Sequence, residues 1–298
     1  MECGTIWPRN NGRSKKCFVN DSFLLYSFWI FCMKLLIFWD IYGKIGRKML
    51  GAHLPILREK YVPDAVIVND ENMSHGKGPR MNQILWLEEQ GVDVFTGGNH
   101  SLESRDDIWE YMNAPNSKQL RPENLVGENL PGVGHRVYDI GWKKLLVINV
   151  IGTTFISAGK ETMSNPFQCV DKILALHASE NIDAIVVDFH KETTSEGYAM
   201  ANYLDGRASV LFGTHTHVQS NDAEIWPEWL GFINEIGFAG TRRSIIGVDW
   251  TLVKHRFVEW RIEWLMSPDE HGPWVLSGLF VEVENKKCIK LETIRISE

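Results

Sequence analysis

Five apolar runs along this chain end abruptly in carboxylate, amide or imidazole side chains. Residues 35–39 run into Asp40, and residues 65–68 run into Asn69, Asp70, Glu71 and Asn72. Residues 92–96 lead through Gly97 and Gly98 to Asn99 and His100, and residues 184–189 lead to His190. Residues 208–212 lead through Gly213 and Thr214 to His215, Thr216 and His217. Short unbroken runs rich in β-branched residues, bounded by polar or glycine positions, predict buried strands. The remaining periodicity predicts helices over 46–61, 80–89 and 166–178. Pro55 should end or kink the first, and Pro166 suits the first turn of the last. A hairpin is expected over 137–150 through Gly141 and Trp142, with further strands over 231–236 and 274–284. Strand–helix alternation early and antiparallel strands late predict an α/β fold of two packed sheets flanked by helices.

In α/β sheets, sites form in the crevice outside the carboxyl ends of the strands, so five such ends can converge on one place. His215 and His217, at i and i+2 after a strand, can aim two imidazoles into one cleft, and imidazole is the commonest protein ligand for transition metals. Any one of these polar residues alone would pass for an ordinary loop residue. Together they form an oxygen and nitrogen donor set without thiolate, which suits Mn, Fe or Zn better than Ca or a structural Zn site.

Composition narrows the classes further. The 298 residues, 44% hydrophobic and 23% charged, are enough to bury a sizeable core. A formal charge of −7 argues against binding duplex nucleic acid, which needs a basic stripe. The scattered lysines and arginines leave Lys77, in the Gly-rich stretch His75, Gly76, Lys77, Gly78, as the one candidate cation near substrate. Five cysteines without a C-x-x-C pair favour reduced thiols and a cytoplasmic protein. The apolar run over 23–32 is too short to span a bilayer, so no stable membrane insertion is expected. Trp226, Trp229, Trp260 and Trp264 read as core or cleft walls, or as a contact for a homo-oligomer.

The order Asp40, Glu71-Asn72, Gly98-Asn99-His100, His190 and Gly213-Thr214-His215-Thr216-His217 resembles the calcineurin-like metallophosphoesterases, and in detail their bacterial YmdB-type cyclic-nucleotide phosphodiesterases. His75-Gly76-Lys77-Gly78, Arg121-Pro122-Glu123-Asn124, Thr194-Ser195-Glu196 and Asp205-Gly206-Arg207 match as well. The resemblance covers residues 33–298 as one domain and leaves 1–32 as an N-terminal extension, either a short appendage or a stretch outside the natural product. It implies a four-layer αββα sandwich and two adjacent metal ions, Fe or Mn before Zn, divalent or mixed-valence. One metal would be held by Asp40, Glu71, Asn72 and His217, and the other by Glu71, Asn99, His190 and His215, with Glu71 bridging. His100 matches the family's general acid. The implied reaction is hydrolysis of a cyclic nucleotide, 2′,3′ or 3′,5′, by a hydroxide shared between the metals. Asp64 or Glu196 is expected to orient a ligand imidazole.

Four positions depart from the family pattern. Trp39 and Asp70 stand where glycine is usual, Asn234 where aspartate is usual, and Ser101 where threonine is usual. An indole at position 39 is expected to narrow the cleft, and Asp70 to add negative charge beside the metals. These departures motivate one alternative, a metal-binding regulator with weak or no catalysis. A third class, a metal-dependent amidohydrolase, would place its His-x-His on an early strand, whereas here the pair follows four other ligand strands.

Overall fold

The computed structural model describes residues 32–260 and 267–298. The expected N-terminal extension, apart from Cys32, and Trp264 lie outside the described residues. The first half of the chain gives β1 (Met33–Phe38), α1 (Gly43–Tyr61), β2 (Ala65–Asn69), α2 (Met81–Glu89), β3 (Val94–Thr96) and α3 (Arg105–Asn113). There follow β4 (Leu125–Val126), β5 (His135–Ile140), β6 (Lys143–Ile151), β7 (Thr162–Met163), α4 (Pro166–Leu176), β8 (Ala184–His190) and α5 (Thr194–Leu204). The last third adds β9 (Val210–Thr214), β10 (Glu224–Ile225), β11 (Gly231–Ile233), β12 (Ala239–Thr241), α6 (Trp250–Glu259), β13 (Trp274–Glu284) and β14 (Lys287–Ser297).

Among the described residues these strands form two six-stranded sheets, besides the small pair β4-β7. One runs β12-β13-β1-β2-β3 with β14 on β13, and the other runs β10-β11-β9-β8-β6-β5. Strands β1, β2 and β3 are parallel in the first, and β6, β8, β9 and β11 are parallel in the second. Parallel strands put their carboxyl ends on one edge, which is where the polar runs begin.

Alternation along each buried strand builds the layers. Leu35, Ile37 and Trp39 face one way and meet Leu145, Val147, Val186, Val210 and Phe212 of the other sheet. Leu36 and Phe38 face the other way, onto Leu50, Leu54 and Leu57 of α1 and Ile84 and Leu87 of α2. In the second sheet Leu146, Ile148 and Val187 pack outward on Val170 and Ile173 of α4 and Met200 and Leu204 of α5. Three apolar interfaces between four layers make an αββα sandwich, with each large buried side chain contributing about 1.5–3 kcal/mol.

The first helix runs through Pro55 to Tyr61 without ending there. The lost backbone bond costs about 3 kcal/mol, but Pro55 lies on the exposed face while Leu50, Leu54, Leu57 and Tyr61 are buried, and their burial outweighs it. Trp226 is half-buried and packs against the core beneath α5, its ring edge-on to Phe232 at 5.5 Å, whereas Trp229 and Trp260 are exposed. Among the described residues, no helix is long and apolar enough to cross a membrane.

Candidate metal centre

The five strand ends meet. Asp40 follows β1, Glu71 and Asn72 follow β2, Asn99 and His100 follow β3, His190 closes β8, and His215 and His217 follow β9. Glu71, His190 and His215 form a group whose ligand atoms all lie within 4.8 Å of one another. Asn99 joins them, its Oδ1 2.7 Å from His190 Nε2, and Glu71 Oε1 lies 3.4 Å from the same nitrogen. On the other side Asp40 Oδ2 touches His217 Nε2, and Asn72 Nδ2 donates to Asp40 Oδ2 at 2.6 Å and to Glu71 Oε1 at 3.1 Å. Asn72 thus presents its nitrogen to these carboxylates; ligation through Oδ1 needs the amide turned over.

The local backbone is bent to this purpose. Asp40, His215 and His217 all have positive φ (36°, 113° and 62°), a region that non-glycine residues enter at a cost and that clusters at functional sites. Gly98 is required by close approach, since a Cβ there would overlap Glu71 Oε2 and the His190 ring.

Hydrogen bonds fix which imidazole nitrogen faces inward. His217 Nδ1 donates to the Ile246 carbonyl at 2.7 Å, which leaves Nε2 towards Asp40. Thr214 Oγ1 donates to Asp188 at 2.7 Å, so it accepts from His190 Nδ1 at 3.2 Å and leaves His190 Nε2 as a lone pair. This network assigns the tautomers and is the usual way of orienting metal-binding histidines. The expected orienters do other work. Asp64 precedes β2, at the amino end of the strands, where it binds Lys143 Nζ at 2.8 Å. Glu196 holds the backbone of Thr153 and Thr154.

Burial holds the His190 imidazole well below its usual pKa, aided by the nearby His215, His100 and His217, and burial brings His215 down to about 4. Both rings are therefore neutral at physiological pH, as metal ligation requires. For His217 burial opposes the charge, yet the touching Asp40 carboxylate pushes its pKa up. Burial, with the nearby Asp40 charge, raises Glu71 well above the carboxylate range. Asp40 Oδ1 is buried and has no hydrogen-bond partner among the described residues. Inward-facing lone pairs, crowded carboxylates and an orphaned oxygen are costly alone and are what a cation satisfies.

His100 is half-buried at the mouth. Its backbone N–H donates to Glu71 Oε2 at 3.1 Å, and its Nδ1 is 2.6 Å from Glu103 Oε1. A cleft of about 920 Å³ opens beside it. Lys77 is exposed and lines a separate hollow of about 430 Å³, although Gly78 of the same loop sits against the His100 carbonyl.

The departures from the family pattern sit beneath the site. Trp39 does not narrow the cleft: it is fully buried between the sheets, its ring 5.4 Å from that of His190 and 6.4 Å from that of His217. Strand alternation sends position 39 inward with Leu35 and Ile37. Asp70 is buried with Gln119 Nε2 donating to it at 2.9 Å, and burial pushes its pKa up to about 8, so it adds less charge beside the site than expected. Asn234 is buried with Oδ1 unpartnered among the described residues, and its carbonyl accepts from Lys191 Nζ at 2.6 Å.

Two supporting groups carried no signal in the sequence. Lys191 is fully buried directly after His190. Glu235, also buried, accepts from Thr216 N–H and Oγ1 at 2.9 Å each and so holds the turn between His215 and His217.

With this geometry in view, comparisons place the chain among known proteins. A family model described as "YmdB-like protein" matches residues 36–294. The 2′,3′-cyclic-nucleotide 2′-phosphodiesterase of Bacillus subtilis is 34% identical over 270 residues, covering 89% of this chain and 98% of the relative. The crystal structure of a phosphatase from Mycoplasma pneumoniae superposes with a TM-score of 0.83 at 34% identity, covering 90% of this chain and 94% of that one. A hypothetical protein from Thermus thermophilus gives a TM-score of 0.80 at 31% identity, covering 89% and 100%.

Proposed function

The chain belongs to the YmdB-like family, and from that premise we propose that it is a metal-dependent phosphoric diester hydrolase that opens 2′,3′-cyclic nucleotides. The observation that carries the proposal is the convergence of His190 Nε2, Asn99 Oδ1 and Glu71 Oε1, three acceptors aimed at one point, beside the orphaned Asp40 Oδ1. In this proposal Asp40, Asn72 and His217 hold one ion, Asn99, His190 and His215 hold the other, and Glu71 serves both. When bound, the two cations supply Lewis acidity and hydroxide at neutral pH. Iron or manganese fits this oxygen and nitrogen donor set, with zinc next.

The chain's own residues do the rest. Burial of Asp40, Glu71 and His190 keeps bulk water off the ligand set, which strengthens every charge interaction within it. His100 stands at the cleft mouth, outside the ligand group, where it can protonate the departing ribose oxygen; positioned acids of this kind give about a hundredfold or more. The 2′,3′ ring is preferred over the 3′,5′ ring because the Bacillus subtilis relative is a 2′-phosphodiesterase by name. The proposal includes a cytoplasmic location, supported by the free cysteines Cys32, Cys169 and Cys288.

The test is hydrolysis of bis-p-nitrophenyl phosphate and of 2′,3′- and 3′,5′-cyclic nucleotides by metal-reconstituted protein, beside Glu71→Ala. Turnover that needs iron or manganese and vanishes in the variant supports the proposal. Two bound metals without turnover of any diester would favour the regulator.

A further inference from the structure

We propose that Phe155 is the platform on which the nucleobase of the substrate stacks, and that the adjoining cleft takes a single nucleoside and not a nucleic-acid strand. This rests on the phosphodiesterase reading above and names the part of the substrate that the metal ligands do not touch. Phe155 combines two unfavourable features. Its side chain is 89% exposed, and its backbone is left-handed at φ 59°. A phenyl ring in water forfeits its burial, and a bulky residue at positive φ is a genuine outlier that persists only where its surroundings enforce it.

The chain leading into Phe155 is held on both sides of the β6 exit. Gly152 N–H donates to the His190 carbonyl at 2.8 Å, tying the start of the loop to a metal-site strand. Glu196, at the head of α5, then takes the next two residues: its Oε1 accepts from Thr153 N–H at 2.9 Å, and its Oε2 accepts from Thr154 N–H at 3.3 Å. On the far side of Phe155, residues 157–161 form a wall of the cleft that Asn99 and His100 also line. Phe155 is thus three residues from Gly152, which bonds the end of β8, and two from the cleft wall, at most roughly 10 Å and 7 Å of chain. A ring on a pinned loop at this place lies within a nucleotide's reach of the reacting phosphate.

The cleft's size and charge say what it accepts. Its volume of about 920 Å³ is far more than a cyclic phosphate needs and falls within the range of small-ligand sites. Its walls carry Glu103, Asp106, Glu128 and Glu161 against Arg105 and Lys160. Arg105 is committed to Glu161, and Glu103 to His100, which leaves a surplus of carboxylate. Such a wall repels further phosphates of a strand and admits an uncharged heteroaromatic ring. Aromatic stacking accepts any base, because every base has a π-face.

The test compares Phe155→Ala and Phe155→Trp with the unmodified full chain on two five-membered cyclic diesters, 2′,3′-cyclic AMP and the base-free glycerol 1,2-cyclic phosphate. The ratio of kcat/KM for the nucleotide to that for the glycerol ester should fall about tenfold to a hundredfold in Phe155→Ala and recover in Phe155→Trp. A ratio unchanged in Phe155→Ala overturns the platform, as does an equal loss on both esters, which would mean that the loop only supports His190. Binding separates this from failure of the hydrolase reading. If the unmodified protein turns over neither ester, calorimetry of 3′-AMP against glycerol phosphate on metal-loaded protein decides. Loss of the base's advantage in Phe155→Ala keeps the platform, and its persistence removes it. A dinucleotide ending in a 2′,3′-cyclic phosphate should be a poorer substrate than 2′,3′-cyclic AMP; if it is a better one, the single-nucleoside cleft is wrong.

Discussion

The two halves of the ligand cluster are built differently. Asp40, Asn72 and His217 are all buried, and Asp40 Oδ2 bonds both of the others, with His217 stacked on Phe238 at 5.2 Å and edge-on to Tyr42 at 5.7 Å. In the other half, His190 is buried but Asn99 and His215 are half-exposed, and His215 Nε2 leans 3.1 Å from Glu192. The first half is shaped by side-chain packing and the second by loops that face the cleft. A packed ligand set fixes an ion's position, while an open one leaves room for substrate, so in the proposed centre the division would separate holding metal from admitting phosphate.

The largest effect expected from breaking this arrangement is at Glu71, which belongs to both halves. Glu71→Ala should empty both sites together and lower turnover by about a thousandfold or more, with metal content by mass spectrometry as the check. Retention of one tightly bound ion would show that the halves are independent and that Glu71 does not bridge.

The comparison itself is sharpened by replacing one histidine from each half. His217→Ala leaves a cavity beside buried Asp40 and removes its partner, so it should cost about 3–5 kcal/mol of stability even without metal. His215→Ala removes a half-exposed ring, and its effect should appear in the affinity of one ion and hardly in melting temperature. Thermal melts of the two metal-free variants decide the matter: equal losses would mean that packing does not distinguish the halves.

Next in size is Glu235, which touches no ligand directly. Its carboxylate accepts from Thr216 twice and from Gly237 N–H at 3.2 Å, and it braces the turn that holds both His215 and His217 at positive φ. Glu235→Gln keeps the volume but offers an amide to donors that need an acceptor. Metal affinity should weaken about tenfold to a hundredfold, the range typical of groups that orient ligands. A metal titration with unaltered affinity would place the bracing elsewhere.

Much of this is legible in the sequence. Strands buried on both faces read as apolar runs, so the five runs and the polar residues after them identified both the sheets and the edge that bears the site. The place of Trp39 was also written in the chain, in alternation: Leu35, Ile37 and Trp39 share a face, and that face is the one between the sheets. Its neighbour Asp40, by contrast, lies on the cleft side of the strand end and says nothing of the indole's direction. Lys191 and Glu235 could not be read, because a buried lysine or glutamate is defined by partners distant in sequence; Lys191 bonds a carbonyl 43 positions away. Helix α5 had a local signal in Thr193, whose Oγ1 accepts from Glu196 N–H, yet its few buried apolar residues gave little periodicity.

The smallest effect is expected at Lys77. As the one cation that the sequence reading puts near substrate, it would neutralise phosphate charge, and its loss would raise KM severalfold at low salt. The structure leaves its side chain exposed in a hollow apart from the one His100 lines, where solvent screens it. Lys77→Ala should therefore change KM for 2′,3′-cyclic AMP by less than about twofold, the scale of ordinary surface substitutions. A severalfold rise that disappears at high salt would mean the Gly-rich loop closes over the phosphate, and would add Lys77 to the metals proposed to neutralise it.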